Sequence, residues 1–276
     1  MISIGETLTI LESVDSTNNY AMAQLRQGRA GHGDAFFAKA QWQGKGQRGR
    51  SWMTEPGSNI ILTLILRPPS PGLSQQFPFS MAIALACHDF FSKLAGSETS
   101  IKWPNDIYWR DRKAGGVLIE SIVGSPESGV DSPPSSVGSY KSEIDGPETG
   151  ANNQSAEAVW KWAIVGIGIN INQVQFDETV GRPVSLRQIT GREWPVLDLV
   201  HDLFNAIQRR YDQLLEKEDV LAHYNERLLL RNQKARFRTG SRVFEAIVNG
   251  VNAEGDLQLQ TSIEEYFPFG SIEWLL

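Results

Sequence analysis

The sequence predicts an α+β fold, with a mixed sheet and its helices over residues 1–231 and a small β-barrel over residues 232–276. Three observations carry this. Ile60 to Leu66 is an unbroken run, apolar but for Thr63, bounded by Asn59 and Pro68, as expected of a central strand buried on both faces. Phe79, Ile83, Ala86, Phe90 and Leu94 recur at helical spacing, as do Val196, Val200, Leu203, Phe204, Ile207, Tyr211 and Leu214. From Ala235 the chain changes to short strand patterns separated by turn signals, among them Asn249-Gly250 and Glu254-Gly255-Asp256.

Taken in order, Thr7 to Ser13 alternates as a strand and ends at Asp15-Ser16-Thr17-Asn18. Ser16 is placed to N-cap a helix from Thr17 to Leu25 that Gly28 closes, and capping alone would account for it. Gly96 ends the second helix. Pro104 interrupts the strand pattern of Ile101 to Trp109, so Lys102, Asn105 and Asp106 fall at a bend. Arg110-Asp111-Arg112 reads as a turn, and Lys113-Ala114-Gly115-Gly116 as the lead into a strand from Val117 to Val123. Trp160 to Asn172 is a further strand with Gly166 and Gly168 on one face, leaving either a flat trough for a planar group or a place of close packing. Asp219 is placed to cap a short helix reaching about Leu230. The terminal strands are read at Arg242 to Val248, Leu257 to Gln260 and Ile272 to Leu275. Between the strands ending at Val123 and starting at Trp160, 17 of the 35 residues from Gly124 to Ala158 are Ser, Gly or Pro. That composition predicts a mobile insertion in an overgrown hairpin loop, with no chemistry of its own.

The chain is long enough for ample core, with 276 residues, 41% hydrophobic and 21% charged. A formal net charge of -6 argues against general nucleic-acid binding, which needs a basic face. The single cysteine, Cys87, allows no internal disulfide and suggests a reducing compartment. It lies in the apolar helical pattern Met81 to His88 and reads as a buried thiol, not a nucleophile. No signal-peptide pattern opens the chain and no apolar run reaches membrane-spanning length, so a cytoplasmic protein with no membrane partner is expected.

The stretch Gln41 to Trp52 stands apart. It holds Gly44, Gly46 and Gly49, the cations Lys45, Arg48 and Arg50, and Trp42 and Trp52, with no acidic residue between Asp34 and Glu55. Glycines admit backbone N–H groups to an anion and the cations neutralise it, where the plainer reading is a solvated basic turn. Gly44-x-Gly46-x-x-Gly49 formally matches a dinucleotide fingerprint. No helix pattern follows it, however, and no acidic residue occurs between Glu55 and Asp89 to hold a ribose. His32, His88, His201 and His223 form no metal-ligand spacing, and no Ser-His or Cys-His pair stands out. What is left is an anion-handling site built on lysines and arginines.

Four stretches occur in one order: Gly44-Lys-Gly-Gln-Arg-Gly-Arg-x-Trp52, Lys102-Trp-Pro-Asn-Asp106, Lys113-x-Gly-Gly-Val-Leu-Ile-Glu120 and Gly166-x-Gly-x-Asn170. Together they resemble the motifs of biotin–protein ligases, and Asp15-Ser-Thr-Asn18, Gln41 and Val184-Ser-Leu186 also fit. The resemblance runs from about Val14 to Leu215 and more weakly through the terminal barrel. Each motif is weak alone and specific in that company. It implies a sheet of the type shared with class II aminoacyl-tRNA synthetases, and an SH3-like terminal barrel.

As activity it implies a two-step ligation. Biotin's carboxylate attacks the α-phosphate of ATP, giving biotinyl-5′-AMP and pyrophosphate. A lysine of a biotin carboxyl carrier protein, a domain of a biotin-dependent carboxylase, then takes the biotinyl group. Biotin, ATP and Mg²⁺ are the small partners implied. Carried over residue by residue, Lys113 is the cation at the carboxylate–phosphate junction, with Arg48 and Arg50 as further catalytic cations. Ser16, Thr17, Asn18, Gln41, Gly166 and Gly168 would line the biotin site, together with Lys45, Gly46, Gln47 and Lys113. Lys45, Arg48 and Arg50 would hold phosphates, and Trp52 would stack on adenine with Asn105 and Asn170 nearby. Asp106 would orient a partner cation or help bind the metal. The Gly44 loop would close over the adenylate to exclude water.

The sequence departs from the pattern where relatives commonly carry arginines. Lys45 keeps the charge without bidentate geometry and Gln47 has none, which predicts weaker retention of the adenylate. The catalytic pattern starts so early that no repressor-type helix-turn-helix, and no operator DNA, is expected. Homodimers are common among relatives, but no interface is legible here. The rivals are a lipoate ligase or lipoyl/octanoyl transferase of the same fold, and a non-catalytic biotin or biotinyl-adenylate binding protein. Cys87 in a core pattern disfavours a direct transferase, and the presence of Lys113 disfavours the binding protein.

Overall fold

The computed structural model describes residues 3–124, 158–177 and 182–276. The insertion expected at 124–158 lies, except for its two end residues, outside them. Seven strands form one mixed sheet: β1 (Leu8–Val14), β2 (Ala35–Gln41), β3 (Ile60–Leu66), β4 (Thr99–Lys102), β5 (Asp106–Trp109), β6 (Arg112–Gly124) and β7 (Val159–Ile169). Their order across the sheet is β1-β2-β3-β7-β6-β5-β4. β1 and β2 are parallel, so the chain must cross over between them, and α1 (Thr17–Arg26) is that crossover. The remaining pairs are antiparallel. β3 is buried at every position between β2 and β7, as its apolar run requires.

One face of the sheet is covered by α2 (Gln76–Ala95) and α4 (Val196–Leu215), which form the main core with Leu62, Leu64, Val165 and Ile167. α2 ends at Gly96, whose φ of +88° suits the residue without a Cβ. Cys87 is fully buried in α2, and burial pushes its thiol up to about 12, so it is inert at neutral pH. The other face carries α1, whose Ala21, Met22 and Leu25 pack on Phe36, Ile65 and Ile164.

Several elements differ from the sequence expectation for local reasons. Ser16 occupies the N-cap of α1 but its side chain makes no capping hydrogen bond. β6 starts at Arg112, not Val117, because glycines can join a crowded ladder. A Cβ on Gly115 would come within 2.8 Å of the Gly168 carbonyl oxygen. α3 (Leu186–Thr190) has no apolar period to betray it, yet Ser185 and Gln188 form a capping box at its start. α5 (Val220–Glu226) is capped by the Asp219 side chain, which accepts from Ala222 N at 2.9 Å. It stops at Glu226 instead of near Leu230, because the next residues bond to the sheet edge. Ile101 N donates to Arg227 O and Leu229 N to Ile101 O, both at 2.8 Å.

A second, antiparallel sheet follows, from β8 (Lys234–Thr239), β9 (Arg242–Val251), β10 (Leu257–Gln260), β11 (Glu264–Phe267) and β12 (Glu273–Trp274), in the order β11-β10-β9-β8-β12. Asn249-Gly250, expected as a turn, lies inside β9. The Asn225 amide brackets Val251, accepting from its N at 2.8 Å and donating to its O at 3.0 Å, and fills the space that a side chain at 250 would need. The sheet docks on the larger unit where Trp103 Nε1 donates to Gly255 O at 3.0 Å and Phe77 packs beneath Gly255.

Candidate active site

Period-two alternation lays the site out as rows across the α1 face of the sheet. Ile65, Ile164 and Glu120 are cross-strand neighbours in the first row, and Thr63, Gly166 and Leu118 in the second. The third runs Ile61, Gly168, Gly116, Asp106 and Lys102 from β3 to β4. α1 lies over the first row and its N-terminal residues reach the second. Beyond them is a cavity of about 1050 Å³ with Gly166, Gly168 and Gly116 on its floor.

A neutral polar cluster closes one part of this cavity. Gln41 Oε1 accepts from Thr17 N at 2.9 Å and lies 3.3 Å from the Thr17 hydroxyl oxygen. The Thr63 hydroxyl oxygen lies 2.8 Å from Thr17 Oγ1 and 2.7 Å from Asn18 Oδ1. Asn18 Nδ2 donates to Glu120 Oε2 at 2.8 Å. Ser16, Thr17 and Asn18 are all buried. A Cβ on Gly166 would collide with Asn18 Oδ1, so this glycine makes room for the amide.

A cationic cluster lies on the third row. Simple alternation would put Lys113 on the helix side, but a β-bulge between β5 and β6 at Ile107/Tyr108 shifts the parity. Ala114 therefore faces the main core and Lys113 the cavity. Lys113 Nζ sits 2.7 Å from Asp106 Oδ1 and 5.8 Å from the centre of the Trp52 ring. A Cβ on Gly116 would come within 2.8 Å of Asp106 Oδ1 and 3.3 Å of Lys113 Nζ, so its absence leaves space for the pair. Trp52 occupies the corresponding space over Gly168, and its Nε1 is buried without a hydrogen-bond partner. Burial pulls the Lys102 ammonium below its ordinary pKa; Lys113 and Arg50 push the same way, and Asp106 and Glu273 oppose them.

The Gly44 loop is an ordered hairpin. Lys45 and Ser51 form an antiparallel bridge, Gly46 N donates to Arg50 O at 2.7 Å and Trp52 N to Gly44 O at 2.8 Å. Its tip is the turn Gln47–Gly49, which contains the Arg48 backbone. Lys45 Nζ donates to Asn19 Oδ1 at 2.6 Å and lies 3.8 Å from Glu120 Oε1. Gln47 Nε2 donates to Asn105 Oδ1 at 2.9 Å. Gly46 and Arg50 also line the cavity. Asn105 and Asn170 stand behind its wall, where their amides brace backbone carbonyls, Asn105 at Val117 O (2.7 Å) and Asn170 at Val184 O (3.2 Å).

Sequence reasoning gave no role to Thr63, Glu120, Arg182 or the wall formed by Ile272, Glu273 and Trp274 of the second sheet. Thr63 is the one polar residue in Ile60–Leu66 and Glu120 the one charge in Val117–Val123, so both carried a signal. The terminal wall carried none, because only tertiary docking brings it there.

Residues 10–130 match the model of the Biotin/lipoate A/B protein ligase family. The matched stretch runs from β1 to β6 and so contains the Gly44 loop, Asp106, Lys113 and Glu120. The bifunctional ligase/repressor BirA of Escherichia coli (strain K12) is 34% identical over 116 residues, covering 42% of this chain and 35% of that protein. The biotin--[acetyl-CoA-carboxylase] ligase of Paracoccus denitrificans is 36% identical over 119 residues, covering 42% of this chain and 48% of that one. The chain thus spans less than half the length of these curated relatives. The solved biotin protein ligase from Aquifex aeolicus in complex with biotin and ATP superimposes with a TM-score of 0.71 at 20% identity, covering 98% of each chain. At that identity the likeness establishes the shared α+β fold, second sheet included.

Proposed function

We propose that the protein is an ATP-dependent biotin–protein ligase that forms biotinyl-5′-AMP and transfers the biotinyl group to a carrier-protein lysine. The observation that carries this reading is Lys113, brought by a β-bulge to the cavity face and fixed by Asp106 at 2.7 Å. In the first step a carboxylate oxygen bonds to the α-phosphorus and the bond to pyrophosphate breaks. Two anions must meet, and a cation already oriented by a carboxylate neutralises them without reorganising. Lys102 and Arg50 add positive charge to the same wall. In the second step the carrier amine bonds to the acyl carbon, AMP leaves with the bonding electrons, and the amine loses a proton.

The neutral cluster of Thr17, Asn18 and Gln41 offers donors and acceptors for a cyclic urea, which is polar but uncharged. Trp52 presents an indole beside Lys113, suited to stack on a purine. Magnesium bound to nucleotide phosphates takes one or two protein carboxylates and fills its other positions with water and phosphate oxygens. Asp106 and Glu273 on the cavity wall fit that need, and the ion would add neutralising charge at the phosphates. Among the described residues, no three His, Cys, Asp or Glu side chains group into a protein-made metal cage.

The test is pyrophosphate exchange with ATP and Mg²⁺, with biotin and lipoate supplied separately. Exchange with biotin is expected, and Lys113→Ala should lower it by about 10²-fold or more with the fold intact. Exchange with lipoate alone would make the protein a lipoate ligase, and exchange with neither acid would sink the ligase reading.

A further inference from the structure

Glu120 lies outside the set of cations and glycines to which the reaction is assigned, yet it is the most connected carboxylate of the site. Its two oxygens are divided. Oε2 accepts from the Asn18 amide at 2.8 Å, and Oε1 lies 3.8 Å from Lys45 Nζ on the Gly44 hairpin. Its side chain is 16% exposed, so the charge is held partly out of water and its partners matter.

An asparagine amide can turn over, exchanging donor for acceptor. At Asn18 the choice is forced by Glu120. A carboxylate accepts only, so the NH₂ must face Glu120, and the oxygen then faces the Thr63 hydroxyl at 2.7 Å. Donating there, the Thr63 hydroxyl is left to accept from the Thr17 hydroxyl, while Gln41 Oε1 is fixed separately by Thr17 N–H. Glu120 is thus the ionised end of a hydrogen-bond chain that sets the polarity of Asn18, Thr63 and Thr17.

We propose that Glu120 is a positioning residue with two duties: it fixes the Asn18 amide that reads the acid's polar head, and it ties the Gly44 hairpin to that amide through Lys45. The first duty rests on the ligase reading for its ligand, and the second does not. The two are separable by substitution. Glu120→Gln retains an acceptor for Asn18 and loses the charge facing Lys45, whereas Glu120→Leu loses both.

Two measurements on the full chain test this. The first is equilibrium binding of biotin, and separately of ATP with Mg²⁺, to wild type and both variants. Glu120→Leu should weaken biotin about tenfold or more while ATP weakens no more than the hairpin is loosened, about two- to fivefold, and Glu120→Gln should restore most of the biotin affinity. A merely structural role would lower thermal stability and weaken both ligands together. The second is the rate of tryptic cleavage after Lys45, Arg48 and Arg50 without ligand. Both variants should be cut about two- to fivefold faster, as expected for loss of a partly exposed ion pair. Unchanged cleavage in both variants, or equal loss of biotin and ATP in Glu120→Leu, overturns the proposal. If wild type binds neither biotin nor lipoate, the ligase reading fails on its own, and the cleavage arm alone decides whether Glu120 holds the hairpin.

Discussion

Adding one methyl group at Gly168 should separate the role of the Trp52 indole from that of the fold. A Cβ there would stand 2.5, 2.7 and 2.8 Å from Trp52 Cε2, Cζ2 and Nε1. Carbon atoms in contact prefer about 3.5–4 Å, so the indole must withdraw by roughly 1 Å. Overpacking in a core costs about 1–3 kcal/mol. Trp52 is only partly buried and sits on a hairpin that can shift, so the low end applies. About 1 kcal/mol corresponds to a melting-temperature drop of roughly 2–4 °C in a chain of this size. Activity should fall much further, because a displacement of about 1 Å beside the reacting groups can cost on the order of 10²-fold. Pyrophosphate exchange and thermal melts on Gly168→Ala give both numbers. A double-mutant cycle with Trp52→Ala sharpens the test, since removing the indole removes the clash and the two losses must not add. Additive losses, or exchange within about threefold of wild type in Gly168→Ala, would refute the reasoning.

Two further outcomes are expected. Gln47 reaches Asn105 with a neutral amide, so Gln47→Arg would add a fixed cation to the hairpin tip; single-turnover trapping should find the adenylate released several-fold more slowly, and equal rates would remove the case for Gln47 as a weak point. Asp89 on α2 accepts from Arg210 Nε on α4 at 2.7 Å; burial raises its pKa, but hydrogen bonds from His88 and Arg210 outweigh burial and hold it below 3.8. A depressed carboxyl stabilises the fold above its unfolded pKa and loses that contribution as pH falls through the folded one, so Asp89→Asn should cost about 2 kcal/mol at neutral pH in urea titrations and progressively less below about pH 4.

What could be read from the sequence was whatever is encoded locally. Ile60–Leu66 announced a doubly buried strand because burial on both faces leaves no other pattern, and α2 and α4 announced themselves by period. Gly166 and Gly168 suggested a flat trough, and planar groups do lie there, though they are the protein's own Asn18 amide and Trp52 indole. Lys113 was legible as a cation beside glycines, but the device that aims it was not. A bulge arises from the pairing of two strands, and neither strand alone records it. Asn249-Gly250 misled for a related reason: as a local signal it says turn, and a distant asparagine, Asn225, overrides it. The short α3 was hidden because five residues cannot show a helical period.

The turn between β4 and β5 is gripped from two directions. Tyr224 OH donates to Pro104 O at 2.7 Å, and Trp103 Nε1 donates to Gly255 O across the boundary with the second sheet. Lys102 and Asp106, the two ends of that turn, are thereby placed by residues more than 100 positions further along the chain. Free energy then flows both ways. A ligand that binds Lys102 more tightly when the terminal sheet is docked would tighten that docking, and loosening the sheet would weaken the ligand by the same amount. The terminal sheet is therefore a brace for this wall of the cavity as well as its boundary.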